Sequence, residues 1–199
     1  TQWCTYTFTK ILFSVCYRFR FKGNRKLPKS PCIIVANHRS AIDGFLITYN
    51  FSRKVNKDIF FFAKEKHWRN RFAQFFAKKN NIILMDINKN VRQSLQEMCA
   101  VLEKGKNIVI FPEGTRTKTG EMGRFKQGAF KIAMDLNLPV VPISLSGFYD
   151  AMPSGAFFVQ PHAHVHLHIG KPIDLQQFED INTAMEHLRN CVAHGIDKH

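Results

Sequence analysis

The sequence predicts an α/β fold, a central and largely parallel β-sheet flanked by helices. Three observations carry that expectation. Pro31 to Ala36 and Asn107 to Phe111 each contain a continuous, β-branched-rich apolar run of the kind that forms a buried strand. Each run passes directly into a polar loop. Helical periodicity fills the intervals, and strand–helix alternation continues through Ser144.

In chain order, Thr1 to Lys22 mixes many aromatic and aliphatic residues with threonines and Lys10, and has no uninterrupted run of 18 apolar residues that would suit a spanning helix. No signal-peptide cleavage pattern is evident. The cations Arg18, Arg20, Lys22, Arg25, Lys26 and Lys29 cluster at its end. Aromatic residues beside cations suit an amphipathic helix lying in the membrane interface, and equally a helix packed on the domain core. Residues 1–22 are therefore read as an N-terminal interfacial segment, and 23–199 as one domain.

Ala41 to Phe51 predicts a helix in which Ile42, Leu46 and Ile47 share a face. Asp58 to Ala63 predicts a strand. His67 to Lys79 predicts a helix, with Trp68, Phe72, Phe75 and Phe76 at helical spacing and Arg69, Arg71, Lys78 and Lys79 around them. Such an aromatic stripe suits the core. The cations suit lipid head groups or the phosphates of coenzyme A. Asn90 to Glu103 predicts the clearest helix, with Val91, Leu95, Met98 and Leu102 inward, Asn90 as cap and Gly105 as stop. Lys126 to Asn137 predicts another. His162 to Gly170 alternates strictly, so four histidines line one strand face. Same-strand i, i+2 spacing does not close a tetrahedral site, so a solvent-facing strand and no metal are expected. Asn182 to His194 predicts a closing helix with Met185, Leu188 and Val192 inward.

The chain of 199 residues suits one sizeable core. Its five cysteines form no C-x-x-C pair and lie mostly in apolar segments, as reduced core residues of a cytosolic domain would. The net charge of +14 is uneven. Residues 1–80 hold 17 Lys and Arg against Asp43, Asp58 and Glu65, whereas residues 81–199 hold 12 basic and 12 acidic residues. The asymmetry points to an anionic partner: an anionic membrane, a phosphate-rich substrate or nucleic acid.

Candidate chemistry lies where the two strands end. His38 falls in the turn between the first strand and the following helix, the place where α/β proteins carry reactive groups. Within one helix, residues five apart point about 140° apart. His38 and Asp43 can therefore meet only if His38 precedes the helix and Asp43 lies in its first turn. A carboxylate on one imidazole nitrogen would fix the tautomer and leave the other as a base. Ser40 to Asp43 also fits a capping box, in which Asp43 merely caps the helix. The second strand end presents Glu113, Thr115 and Arg116, and a guanidinium there suits phosphate.

Asn37-His38-Arg39-Ser40-Ala41-Ile42-Asp43 resembles the N-H-x-x-x-x-D block of the glycerolipid acyltransferases, which include the 1-acylglycerol-3-phosphate acyltransferases. Phe111 to Arg116 resembles their F-P-E-G-T-R block, Phe125 to Ala129 their F-K-x-G-A, and Leu138 to Ser144 their proline-flanked fourth block. Four blocks in order are a strong signal. The resemblance covers roughly Gly23 to Leu175. It implies acyl transfer from acyl-CoA or acyl carrier protein to a lysophospholipid hydroxyl, without a further cofactor or metal. It makes His38 the base and Asp43 its partner, and sets Glu113, Gly114, Thr115 and Arg116, with Lys126, around the acceptor. The expected location is the cytoplasmic face of the membrane, peripheral or monotopic. Ile82 to Ile87 occupies the place of a further block of the family, which in many members ends in Asp-Arg, and departs from that pattern. Ile87 stands where many members carry an arginine associated with the acceptor phosphate, so Lys89 would have to substitute or the acceptor would be another lyso-lipid.

Two rival classes remain. A serine hydrolase of this fold class would show G-x-S-x-G, which does not occur. A nucleic-acid- or membrane-binding module would explain the basic first 80 residues and leave both strand-end constellations unexplained; no nucleic-acid partner is expected.

Overall fold

A computed structural model describes residues 7, 17–29, 31–40, 42–64, 70–85, 91–117, 119–147, 149 and 163–197. They form a seven-stranded sheet in the order β1-β7-β6-β2-β5-β3-β4. The strands are β1 (Tyr17–Gly23), β2 (Ile33–Ala36), β3 (Ile59–Lys64), β4 (Ile82–Met85), β5 (Asn107–Ile110), β6 (Val140–Ser146) and β7 (Ala163–Ile169). The ladder is parallel from β6 through β2, β5 and β3 to β4. β7 runs antiparallel to β6 and carries β1 parallel to itself. The helices are α1 (Asp43–Asn50), α2 (Arg53–Asn56), α3 (Arg71–Lys79), α4 (Val91–Glu103), α5 (Gly128–Asp135) and α6 (Ile181–Asp197), with a 3-10 turn at Leu175–Gln177. The largely parallel α/β sheet is the fold the sequence predicts.

β2 lies at the centre, and every residue from Cys32 to Ala36 is fully buried. Its pleat divides the core in two. Ile34 and Ala36 face the layer of Leu46 and Ile47 from α1 and Phe51 just after it. Ile33 and Val35 face the layer of Met98 and Leu102 from α4, Phe130 from α5 and Leu188 from α6. A strand buried on both faces needs a continuous apolar run, which explains why the periodicity there is unbroken. Burial pushes the Cys32 thiol up to about 12, so it stays protonated as a small core residue. Cys4 and Cys16 lie outside the described residues.

Helix ends follow local chemistry. Gly105 adopts a positive φ and its amide donates to Leu102 O, stopping α4 as expected. Asn137 does the same for the end of α5, its φ positive and its amide on Met134 O. Of the residues expected on the inner face of α4, Met98 and Leu102 are buried and Leu95 is half-buried; the Asn90 cap lies outside the described residues. In α6, Ala184, Leu188 and Val192 are buried, and Met185 is half-buried at their flank.

Two expectations are corrected. The N-terminal segment is not helical through Lys22, because Tyr17–Gly23 is a strand at the sheet edge. Tyr17, Phe19 and Phe21 alternate with Arg18, Arg20 and Lys22, a period of two that fits a half-buried edge strand. Phe19 and Phe21 pack on the α1 layer while the cations stay exposed. Residues 1–16, apart from Thr7, lie outside the described residues. The histidine face of β7 is also not open to solvent along its length. His164 is exposed, but His166 and His168 are half-buried, because β7 is paired on both edges and α6 lies over that face. Among the described residues no group of His, Cys, Asp and Glu could hold a metal ion.

The same contact makes Gly195 a tight packing point. A Cβ there would lie 2.0 Å from Ser144 Oγ and 2.8 Å from His168 Nδ1. Ser144 Oγ also donates to Val192 O at 2.7 Å, fastening α6 to β6. Gly195→Ala is expected to destabilise the fold by about 1–3 kcal/mol through overpacking. Urea unfolding checks this, and an unchanged midpoint would show that α6 does not seat on β6 through this glycine.

Candidate active site

β2 hands the chain to a short turn at Asn37 that is pinned before it reaches the helix. Asn37 Nδ2 donates to Leu145 O at 2.8 Å, and Leu145 N–H returns a bond to Asn37 Oδ1 at 2.7 Å. These paired bonds extend the β2–β6 ladder by one side chain and fix where His38 leaves the sheet. Its imidazole retains 22% exposure, whereas Asp43, the first residue of α1, has none.

Asp43 Oδ2 collects the N–H groups of the turn. His38 Nδ1 lies 2.9 Å away, Arg39 N–H donates at 2.6 Å and Ser40 N–H at 2.9 Å. Two backbone donors and the imidazole thus converge on this one oxygen at the start of α1. An ionised carboxylate only accepts, so His38 Nδ1 carries the proton and Nε2 presents its lone pair. The capping box is half formed. Asp43 receives the Ser40 amide, but Ser40 Oγ accepts weakly from Ile42 N–H, and α1 begins after Ile42 without a side-chain cap. Capping and imidazole orientation are therefore one arrangement, performed by one oxygen.

The loop after β5 closes on this turn through three contacts. Phe111 stacks on the His38 ring with centroids 4.1 Å apart and planes 18° apart. Glu113 Oε1 accepts His38 N–H at 2.7 Å, and Thr117 N–H donates to His38 O at 3.0 Å. Glu113 Oε2 accepts Gly123 N–H at 2.8 Å. This buried carboxylate thus joins both strand-end loops to the 121–127 segment through backbone amides. Gly114 adopts φ +72°, and a Cβ there would lie 2.9 Å from Lys126 Nζ, so the Lys126 side chain crosses the glycine. Lys126 N–H donates to Pro112 O at 2.9 Å, while Phe125 is buried and stacks with Phe130. Arg189 Nη2 reaches Met122 O at 3.2 Å and ties α6 to the same segment.

Of the residues expected from the sequence, His38, Asp43, Glu113, Gly114 and Lys126 come together. Thr115 is exposed and Arg116 half-exposed on the same loop, and among the described residues no carboxylate pairs with the Arg116 guanidinium. Lys89 and Ile87 lie outside the described residues. Asn37, Phe111, Thr117 and Gly123 also build the site. Asn37 could have been found as a polar residue ending a fully apolar strand, whereas the Phe111 stacking and the Thr117 and Gly123 amides have no signal in a single sequence.

Glu113→Ala would leave the His38 and Gly123 amides without their acceptor. A stability loss of about 1–3 kcal/mol is expected, with faster hydrogen exchange at both amides and a smaller effect for Glu113→Gln, which keeps one oxygen. Unchanged exchange at His38 would contradict the clamp.

Comparison with known proteins places the geometry. The Acyltransferase family profile matches residues 18–146, which contain all four sequence blocks. A chloroplastic 1-acyl-sn-glycerol-3-phosphate acyltransferase of Brassica napus is 35% identical over 161 residues, 79% of this chain and 45% of that protein. The 1-acyl-sn-glycerol-3-phosphate acyltransferase of Pseudomonas aeruginosa is 28% identical over 147 residues, 72% of this chain and 55% of that protein. The chain thus spans about half the length of the curated relatives it matches. The crystal structure of the 1-acyl-sn-glycerophosphate acyltransferase of Thermotoga maritima superposes with a TM-score of 0.84 at 27% identity, covering 99% of this chain and 78% of that one. With the family profile spanning more than half of its residues, including both strand ends that build the site, the chain belongs to the acyltransferase family.

Proposed function

We propose that this chain transfers a fatty acyl group from a thioester, acyl-CoA or acyl carrier protein, to the free hydroxyl of a lysophospholipid, with 1-acyl-sn-glycerol-3-phosphate as the first acceptor. The observation that carries the reading is the His38 imidazole. Its Nδ1 is held by a buried carboxylate, and among the described residues its Nε2 has no hydrogen-bond partner and the Arg116 guanidinium of the neighbouring loop no carboxylate. The names of the relatives support the acceptor.

The acceptor oxygen attacks the thioester carbonyl carbon as His38 Nε2 takes its proton. The tetrahedral intermediate collapses, the C–S bond breaks, and the proton on His38 passes to the departing thiolate. An ester and a free thiol result. Asp43 stays ionised and stabilises the imidazolium formed between the two steps. General-base action of this kind contributes about 10²–10⁴-fold, and holding both substrates in place can supply more. The thioester is already activated, so neither a metal nor an acyl-enzyme is needed. Arg116 suits the acceptor phosphate by its planar fork of donors, and Lys126 adds charge at the same loop. The position of Ile87 favours one second reading, another lyso-lipid head group in place of the simple phosphate monoester. No helix of the described residues is long and apolar enough to cross a membrane. Work at a membrane surface, on its cytoplasmic face, suits a lipid acceptor and a water-soluble donor.

His38→Ala is expected to lower kcat by about 10³-fold or more with little change in Tm. The assay is transfer of labelled acyl groups from acyl-CoA and acyl carrier protein into a panel of lyso-lipids. Substantial residual turnover would remove His38 as the base, and His38-dependent release of free fatty acid would indicate a hydrolase. Arg116→Ala should raise the KM for a phosphate-bearing acceptor about tenfold or more, as loss of a charge-assisted contact does, and leave the donor KM unchanged. An unchanged acceptor KM would argue against its head-group role.

A further inference from the structure

The helix expected to bury its aromatic stripe does not do so. In α3, Ala77 is buried and Phe76 half-buried, its ring 6.4 Å from that of Phe45 in α1. Phe72 and Phe75 are 78% and 54% exposed, and they are the large apolar side chains left exposed among the described residues. At about 100° per residue, Phe72, Phe75 and Lys79 fall within about 60° of arc, with Arg71 and Lys78 adjoining on one side. All three cations are exposed, and Lys79 Nζ sits 5.6 Å from the centroid of the Phe75 ring. The chain carries no Asp or Glu from Lys66 to Met85. One side of α3 therefore holds the sheet, and the other presents two phenylalanines bordered by cations.

We infer that this outer face of α3 docks on an anionic lipid bilayer, with Phe72 and Phe75 entering the acyl boundary and Arg71, Lys78 and Lys79 resting among the head-group phosphates. Apolar side chains beside cations on one helix match the two layers a bilayer surface offers. A single bound anion would satisfy the cations and leave the two rings in water. A second protein would require acidic residues of its own opposite the strip. The position in the fold agrees. β3 runs parallel to β5, itself parallel to β2, so the first turn of α3 lies at the end of the sheet that carries His38. The Phe45–Phe76 contact sets α3 beside α1, whose first residue orients the imidazole. A bilayer on α3 would thus flank the candidate site. The inference rests on the proposed lipid acceptor for the purpose of the docking and not for the docking itself.

The test is co-sedimentation of the whole chain with vesicles of phosphatidylglycerol and phosphatidylcholine, compared with phosphatidylcholine alone, for wild type, Phe72→Ser/Phe75→Ser and Lys78→Gln/Lys79→Gln. The expected result is preferential binding of wild type to the anionic vesicles. The phenylalanine variant should lose about tenfold or more in partitioning, since its insertion term is gone. The lysine variant should lose affinity for anionic vesicles and show a shallower salt dependence. Turnover of a short-chain, water-soluble lysophosphatidic acid should be unchanged in the phenylalanine variant, while turnover of vesicle-embedded acceptor falls in parallel with binding in both. Unchanged partitioning of both variants overturns the docking face, whether or not the chain transfers acyl groups. A wild-type dimer that becomes monomeric in the phenylalanine variant, with partitioning intact, also overturns it and gives the face to a second copy. Vesicle binding that follows the expectation without acyl transfer would count against the proposed reaction alone.

Discussion

One buried oxygen organises the site. Asp43 Oδ2 receives the Arg39 and Ser40 amides and the His38 imidazole, so the turn, the start of α1 and the tautomer of the proposed base depend on a single carboxylate. A buried charge is costly unless several donors meet it. Here the donors are the groups that a turn entering a helix would otherwise leave unsatisfied. The cost of burying Asp43 is thereby offset by bonds the backbone must make in any case. A second carboxylate repeats the device one loop away, where Glu113 receives the His38 and Gly123 amides. Both accept backbone amides, and together they hold His38 from either side while Phe111 covers its ring.

The sheet explains why the two loops meet. β2 and β5 are hydrogen-bonded neighbours and run parallel, so their carboxyl ends lie side by side at one end of the molecule. Asn37 extends that end by bonding across to β6. Direction reverses only at β7, and β7 brings β1 with it to the edge. The reversal lets α6 lie across β6 and close the second core layer, with Ser144 and Gly195 as the contact.

The α/β class and the two strand ends were legible because β2 and β5 are buried on both faces. A short, continuous apolar run that stops at a polar loop is the pattern such a strand requires. The His38–Asp43 pairing was legible because only one relation of turn to helix allows it. Three features were not. The strand Tyr17–Gly23 carries a period of two, but its aromatic and basic composition also suits an interfacial helix. The β7 histidines alternate as an exposed strand would, yet their cover comes from α6, far away in sequence. The α3 stripe has the spacing of a core helix, and only the packed structure reveals that Phe72 and Phe75 have no partner layer. Glu113 lay within a recognisable block, but its engagement with two amides depends on loops from three parts of the chain.

The central claim is that Asp43 holds the His38 proton on Nδ1 and leaves Nε2 as the base. Asp43→Asn tests it most directly, because an asparagine oxygen can still accept the Arg39 and Ser40 amides and preserve the turn. If the claim holds, kcat for acyl transfer should fall by about 10³–10⁴-fold, as loss of the orienting carboxylate does in other His–Asp pairs, with KM and the unfolding midpoint nearly unchanged. A kcat within a few-fold of wild type would contradict it and leave Asp43 as a helix cap alone.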